Sequence, residues 1–306
     1  DEAFLRALSA READARRLAE FLPAQATLPR LLGVLGRLFG VAFREAEAAA
    51  GWPRGVRAFE VRDSPGAGTG RGRLGFVYVS LEGRRGFLGG GRQPAGALLL
   101  CRGHVYLSID LQAASWGATK LLNPEEAATV AHELGHAVHM LCQGGSPQEF
   151  DDLPLDVIEL PSVLAETVAM HPVVLPQFAR HYASGGPPPD ALAASCQHGP
   201  HFFVRYLRSM HVSLGLHAEA FDPHAATPEG LQEAAVALWE RYSPVAAHPG
   251  FTPLGEDAGV YLALGAAHPA YLHCHLRVDA LLHAPRRAGA PRAKEAAQRW
   301  LGPEFA

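Results

Sequence analysis

Lysine is almost missing from this chain. Only Lys120 and Lys294 occur among 27 basic residues, which stand against 31 acidic ones for a formal net charge of −4. No block of like charge is long enough to make a nucleic-acid or anionic-membrane footprint, so binding to either is excluded as the main task. Cysteine is sparse as well. Cys101, Cys142, Cys196 and Cys274 are far apart and form no Cys-x-x-Cys pair, which argues against a disulfide-stapled secreted domain and against a cysteine zinc site. A reducing compartment is the expectation. Apolar runs are short: stretches such as Ala97–Cys101 fall far below the ~20 residues that a spanning helix requires, so no membrane crossing is expected. The opening Asp-Glu-Ala-Phe has neither a secretory apolar core nor the acid-poor character of a transit peptide, so no targeting segment is expected within the chain.

What is present describes a folded protein. With 306 residues, 48% hydrophobic and 19% charged, the chain can bury a sizeable core and is not globally disordered. Histidine is the abundant oddity: there are 16, and all fall between His104 and His283. Chemistry is therefore sought in the second two-thirds.

The apolar spacing divides the chain into regions. Residues 1–50 read as helices, with Leu5, Leu8, Ala15, Leu18 and Leu22 in one stripe and Leu28, Leu31, Leu32, Leu35, Leu38 and Phe39 in another. From Trp52 the period drops to two. Val56–Arg62 and Leu74–Leu81 alternate like strands joined by a glycine-rich connection, and Ala97–Cys101 with His104–Asp110 form a second pair, which predicts a small sheet of about four strands. The glycines between Arg84 and Gly91 lack the Lys-Ser/Thr of a phosphate loop and read as a surface loop. Asn123-Pro124-Glu125-Glu126 reads as a capped helix start, and helix dominates thereafter. The expected fold is mostly α with a small β-sheet: one domain over 1–283, then a weakly ordered tail over 284–306 with a short final helix.

His132-Glu133-Leu134-Gly135-His136 carries the chemistry. On a helix, His132 and His136 lie one turn apart on one face, so two imidazoles converge on one metal, and Glu133 beside them serves as general base. A third ligand would leave zinc an open fourth position for a water whose pKa falls to about 7. Several downstream His, Asp and Glu residues could supply it. Glu159 is the favoured one, because Asp156-Val-Ile-Glu159 reads as a helix start in which Asp156 caps and orients a zinc histidine while Glu159 binds the ion. The competing reading of both acids is ordinary placement at a helix N-terminus. His139, one turn beyond His136, reads as a hydrogen-bonded or core residue close to the site, since a fourth protein ligand would close the reactive position. His273 and His275 around Cys274 read as surface or core.

The run His132-Glu-Leu-Gly-His136-Ala-Val-His139, followed by Asp156-Val-Ile-Glu-Leu-Pro-Ser162 and Glu166, resembles the active-site signature of the thimet-oligopeptidase-like zinc metallopeptidases. Val174-Leu-Pro-Gln-Phe-Ala-Arg-His-Tyr182 is most similar to the mitochondrial intermediate peptidase branch. The resemblance extends from about Leu28 to about Leu276. It implies a zincin-like catalytic domain holding one zinc ion on His132, His136 and Glu159, with Glu133 as base. It also implies peptide substrates held extended along an edge strand, assigned to His104–Asp110.

Departures from the pattern are specific. His136 and Glu159 are closer in sequence than the family spacing, and the usual Gly-Thr of the intervening loop is replaced around Phe150 and Asp151. Where the family has a C-terminal His and several Tyr that steady the oxyanion, Tyr271 matches. His268 and Leu264 stand at Tyr positions and Gly259 stands at the His position. Loss of such donors costs ~10²–10³ in rate without removing the metal. The expected activity is zinc-dependent cleavage of short or unfolded peptides, with intermediate processing of precursor N-termini in the mitochondrial matrix as the finer expectation. The alternatives are a general oligopeptidase, which could be cytoplasmic, and a zinc-binding pseudopeptidase.

Overall fold

The computed structural model describes residues 12–47, 52, 55–65, 70–81, 95–111, 114–116, 119–195, 207, 210–217, 227–242 and 269–283. The chain forms two compact units, residues 1–197 with 278–306 and residues 198–277. The first holds a helical core and the sheet. In the second, the helical residues 211–217 pack on a later helix through Val212 and Ala235, flanked by Leu216, Leu238 and Trp239.

In the first unit, residues 12–19 are helical and α1 spans Ala24–Phe39. Leu28, Leu31, Leu32 and Leu35 recur at helical spacing and are fully buried or nearly so. Pro29 lies inside α1, and the carbonyl it leaves without an intrahelical donor is that of Gln25. Arg57 fills that gap, donating to the Gln25 carbonyl at 3.1 Å while forking onto both carboxylate oxygens of Glu45 at 2.8 and 2.9 Å. Gly40 ends the helix at φ 68°, a left-handed conformation open to glycine at little cost, and turns the chain directly into a strand.

That strand, β1 (Val41–Ala46), pairs antiparallel with β2 (Arg57–Asp63), which pairs antiparallel with β3 (Arg73–Ser80). Beyond a hairpin of β4 (Ala95–Cys101) and β5 (His104–Ile109), β5 pairs parallel with β3, giving the order β1-β2-β3-β5-β4. Both expected strand pairs are present. Three expectations need correction. Residues 41–46 are strand, not helix, because Gly40 breaks the helical period. Among the described residues the sheet has five strands, and β6 (Ala114–Trp116) pairs antiparallel with β7 (Thr119–Leu121) in a separate two-stranded sheet. His104–Asp110 is not an edge: β5 lies between β3 and β4, and among the described residues the outer strand on that side is β4.

Alternation gives the sheet two unlike faces. Phe59, Val61, Val77, Val79, Val105, Leu107 and Ile109 enter the helical core. On the other face Trp52 stacks on Tyr78 at 4.3 Å and on Tyr106 at 5.5 Å, and the Tyr78 hydroxyl lies 2.9 Å from His104 Nδ1.

Helix α2 (Pro124–Gln143) starts as its sequence predicts. Asn123 accepts from the Glu126 amide at 2.8 Å, Glu126 accepts from the Asn123 amide at 2.8 Å, and Pro124 fills the first helical position. Its last turn has no basic residue of its own. Arg71, from the β2–β3 connection, supplies the cation, donating to the carbonyls of Leu141, at 3.3 Å, and Cys142. Asp63 holds that connection by accepting from the amides of Arg71 and Gly72.

Between α2 and the next long helix, the expected break contains a five-residue helix, α3 (Pro147–Asp151), with its own Ser146–Glu149 capping box. Helix α4 (Leu155–Ala169) follows Pro154, which occupies the cap position. Asp156 is therefore not the cap; it lies in the first turn. Pro161 sits in the second turn of a helix that runs on through it. Short helices α5 (Leu175–Phe178) and α6 (Asp190–Ala194) complete this part, while α7 (Pro228–Tyr242) and α8 (Pro269–His283) come later in the chain. Among the described residues no helix is long and apolar enough to cross a membrane. The tail over 284–306 lies outside the described residues.

Helices α2 and α4 approach closely at Gly135. A Cβ there would stand 2.6 Å from Ser162 Cα and 2.8 Å from the Pro161 carbonyl oxygen, both backbone atoms that cannot rotate away. Gly135→Ala is expected to force the helices apart and lower unfolding stability by about 1–3 kcal/mol. Urea denaturation of the two proteins measures this.

Candidate metal centre and active site

Two helices supply the site. His132 and His136 project from one face of α2, with their Nε2 atoms 3.2 Å apart. Across the Gly135 contact, α4 presents Glu159, whose Oε2 lies 3.2 Å from His132 Nε2 and 3.3 Å from His136 Nε2. The three atoms form a nearly equilateral triangle. Zinc bonds of 2.0–2.1 Å at tetrahedral angles place neighbouring ligand atoms about 3.3 Å apart, so the triangle has the dimensions of one face of a tetrahedral site. Two imidazoles and a carboxylate are also the donor set of a catalytic zinc with one open position. The residues fit the ion. Among the described residues this is the one His/Cys/Asp/Glu cluster of that kind.

Two of the three candidate ligands, Glu159 and His132, are held from behind. Ser162, fully buried, places its hydroxyl 3.0 Å from Glu159 Oε2 and 2.7 Å from the Glu159 carbonyl. His132 Nδ1 lies 3.0 Å from Glu166 Oε2. Donation from Nδ1 to Glu166 fixes the tautomer that leaves the Nε2 lone pair facing the site. Glu159, Ser162 and Glu166 are three and then four residues apart, which puts them on one face of α4. Nδ1 of His136 is buried and has no hydrogen-bond partner among the described residues. Glu166 thus lies behind one of these histidines, and Asp156, expected to orient a histidine, is half-buried in the first turn of α4 with interactions of its own. The 3–4 spacing from Glu159 was the signal for Glu166.

Glu133 is 8% exposed and lies beside the two histidines on α2. Burial raises its carboxyl above the usual range, opposed by the charges of His132 and His136 and reinforced by those of Glu159 and Glu166. Such a group is suited to accepting a proton near neutral pH. His132 is subject to opposite pulls: burial disfavours its charged form, but hydrogen bonds to Glu159 and Glu166 prevail and raise it from 6.5 to about 10. His139 packs edge-on against Phe150 of α3, with ring centroids 5.2 Å apart, and burial lowers its pKa. It is a half-buried residue of the same helix, and the Phe150 that replaces the familiar loop sequence is its packing partner. Tyr271 lies half-buried on α8 in the portion that belongs to the second unit, and His268 lies outside the described residues.

Residues 5–254 match the model of peptidase family M3. The chain belongs to that family. This M3 chain is 27% identical over 212 residues to the mitochondrial intermediate peptidase of Arabidopsis thaliana, covering 64% of this chain and 29% of that relative. It is 26% identical over 220 residues to oligopeptidase A of Escherichia coli, covering 66% and 31%. To the human mitochondrial intermediate peptidase it is 30% identical over 174 residues, covering 53% and 23%. The M3 chain therefore spans less than a third of the length of these relatives. Family membership makes it a metallopeptidase homologue with a metal-compatible His-His-Glu cluster, and it bears out the resemblance drawn from the motif.

Two measurements test the M3 site. Metal binds neutral imidazole, so zinc uptake at pH 7 is expected to expel about one proton from His132, and affinity is expected to rise as pH climbs toward 10. Calorimetry in buffers of different ionisation enthalpy reads the released proton. The sign for the metal-free fold is the reverse: protonated His132 stabilises it fully below 6.5, and that contribution disappears as pH rises through about 10. Separately, Glu166→Ala is expected to weaken zinc binding about 10–100-fold, as measured by competition with a chromophoric chelator.

Proposed function

We propose that this chain is the catalytic portion of a zinc-dependent endopeptidase acting on short or unfolded peptide segments. The observation that carries the reading is the 3.2–3.3 Å triangle of His132, His136 and Glu159 with buried Glu133 beside it. When bound, zinc supplies a Lewis acid for the scissile carbonyl and brings the ionisation of water toward neutral pH. Glu133 takes a proton from the attacking water and returns it to the leaving amine. His132 keeps its orientation through Glu166, and Glu159 keeps its own through Ser162. Edge strand β4 packs against α2, so an extended peptide added to it would run alongside the ligand helix. Tyr271 and His268 are the proposed donors to the oxyanion, taken from the motif match.

Similarity to mitochondrial intermediate peptidases supports processing of precursor N-termini in the matrix as the finer role. Similarity to oligopeptidase A at nearly the same identity supports general degradation of small peptides, with a cytoplasmic setting as its counterpart. A pseudopeptidase that binds zinc and peptide is favoured by one observation, Gly259 and Leu264 standing where the motif has donors.

The test compares zinc-loaded protein with Glu133→Gln on internally quenched peptides. Loss of at least ~10²-fold in kcat is expected for the variant. Cleavage by the unaltered protein no faster than by Glu133→Gln, with zinc and peptide still bound, would replace the peptidase reading with the pseudopeptidase.

A further inference from the structure

Among the described residues β4 is the outer strand of the sheet, and it is chemically unusual for an exposed one. Exposed edges are commonly protected by charge or proline, yet Ala95-Gly-Ala-Leu-Leu-Leu-Cys101 contains neither. Leu98 is 39% exposed and Leu100, at the irregularity between Leu99 and Cys101, is 37% exposed. The two faces of the strand differ. Ala95, Ala97 and Leu99 belong to the helix-side core, and the first two are small. Leu98 pairs in register with Tyr106, so it lies on the opposite face, next to the aromatic layer in which Trp52 covers Tyr78 and Tyr106.

We propose that Leu98 is a specificity determinant: the substrate residue whose outward side chain lies beside it is selected to be apolar. The inference rests on the peptidase reading, and the occupant follows from position, since β4 packs against the helix that carries His132 and Glu133. A peptide laid along β4 alternates its side chains between the two faces. Those on the helix side pass the small Ala95 and Ala97. The one opposite Leu98 sits directly across from a half-exposed leucine, where an aliphatic or aromatic group covers apolar surface and a charged one must shed water without a partner. Leu98 touches no reacting atom, so its effect falls on KM and leaves kcat in place.

The experiment uses the full chain, zinc-loaded, and quenched peptides that differ at one position at a time by Leu, Asp or Lys. Unaltered protein is expected to favour Leu over Asp about fivefold in KM at one position, and Leu98→Lys is expected to reverse that preference toward Asp at the same position. Leu98→Thr, a strand-compatible variant, is expected to flatten it, and thermal unfolding checks that each variant folds. The same peptides, fluorescein-labelled, are titrated onto Glu133→Gln by anisotropy, with and without the Leu98 changes, so that ranking is read without turnover. A preference identical in all Leu98 variants at every position overturns the inference. Cleavage that depends on Glu133 but ignores Leu98 defeats this inference alone, whereas Leu98-dependent binding without cleavage defeats the peptidase reading alone.

Discussion

Everything at the candidate metal site depends on how near two helix backbones can come. The pair His132/His136 and the trio Glu159/Ser162/Glu166 come from separate helices, and their polar tips meet within about hydrogen-bonding distance only because Gly135 has no side chain between them. The same contact is held at a distance from its centre. Asn123 and Glu126 fix the start of α2, Arg71 fixes its end from the sheet side, and the Ile109, Val105 and Leu107 side chains of β5 fill the space beneath. The site is thus preorganised by packing, and the triangle of His132, His136 and Glu159 has the spacing of one face of a tetrahedral site.

Charge explains why such an arrangement calls for a cation. Two buried carboxylates, Glu133 and Glu159, and the half-buried Glu166 are brought together beside two imidazoles. Carboxylates buried this close repel one another and lose hydration. In the metal-free protein, protonation of His132 relieves part of that charge, which is the cause of its raised pKa. A divalent ion does so more fully, and frees the imidazole to act as ligand. Metal and proton therefore compete for one requirement of the fold.

The ligand helix was legible because its signals are local: a cap, a proline at the first position, and two histidines one turn apart. The strand pairs were legible from alternation and their short connections. Legibility failed where the deciding contact was distant in sequence. β1 looks helical until Gly40 is seen to reverse the backbone, and nothing in His104–Asp110 reveals that a later pairing with β3 places it inside the sheet. Asp156 was the acid nearest a plausible helix start, but Pro154 takes the cap. Glu166 stood two turns on from Glu159, and its part became visible only when α4 was seen to face His132. Tyr271 belongs to the other compact unit, so local sequence patterns carry no information about its distance from the metal ligands.

The unguarded character of β4 has a further consequence for the protein as a material. Backbone groups that can accept one extended peptide accept any, including the same strand from another copy, and two exposed leucines reward that pairing. Solubility and the proposed capture of peptide thus draw on one surface. At high concentration, without peptide, the edge is the place where filamentous or amorphous self-association would begin, and a saturating peptide would suppress it.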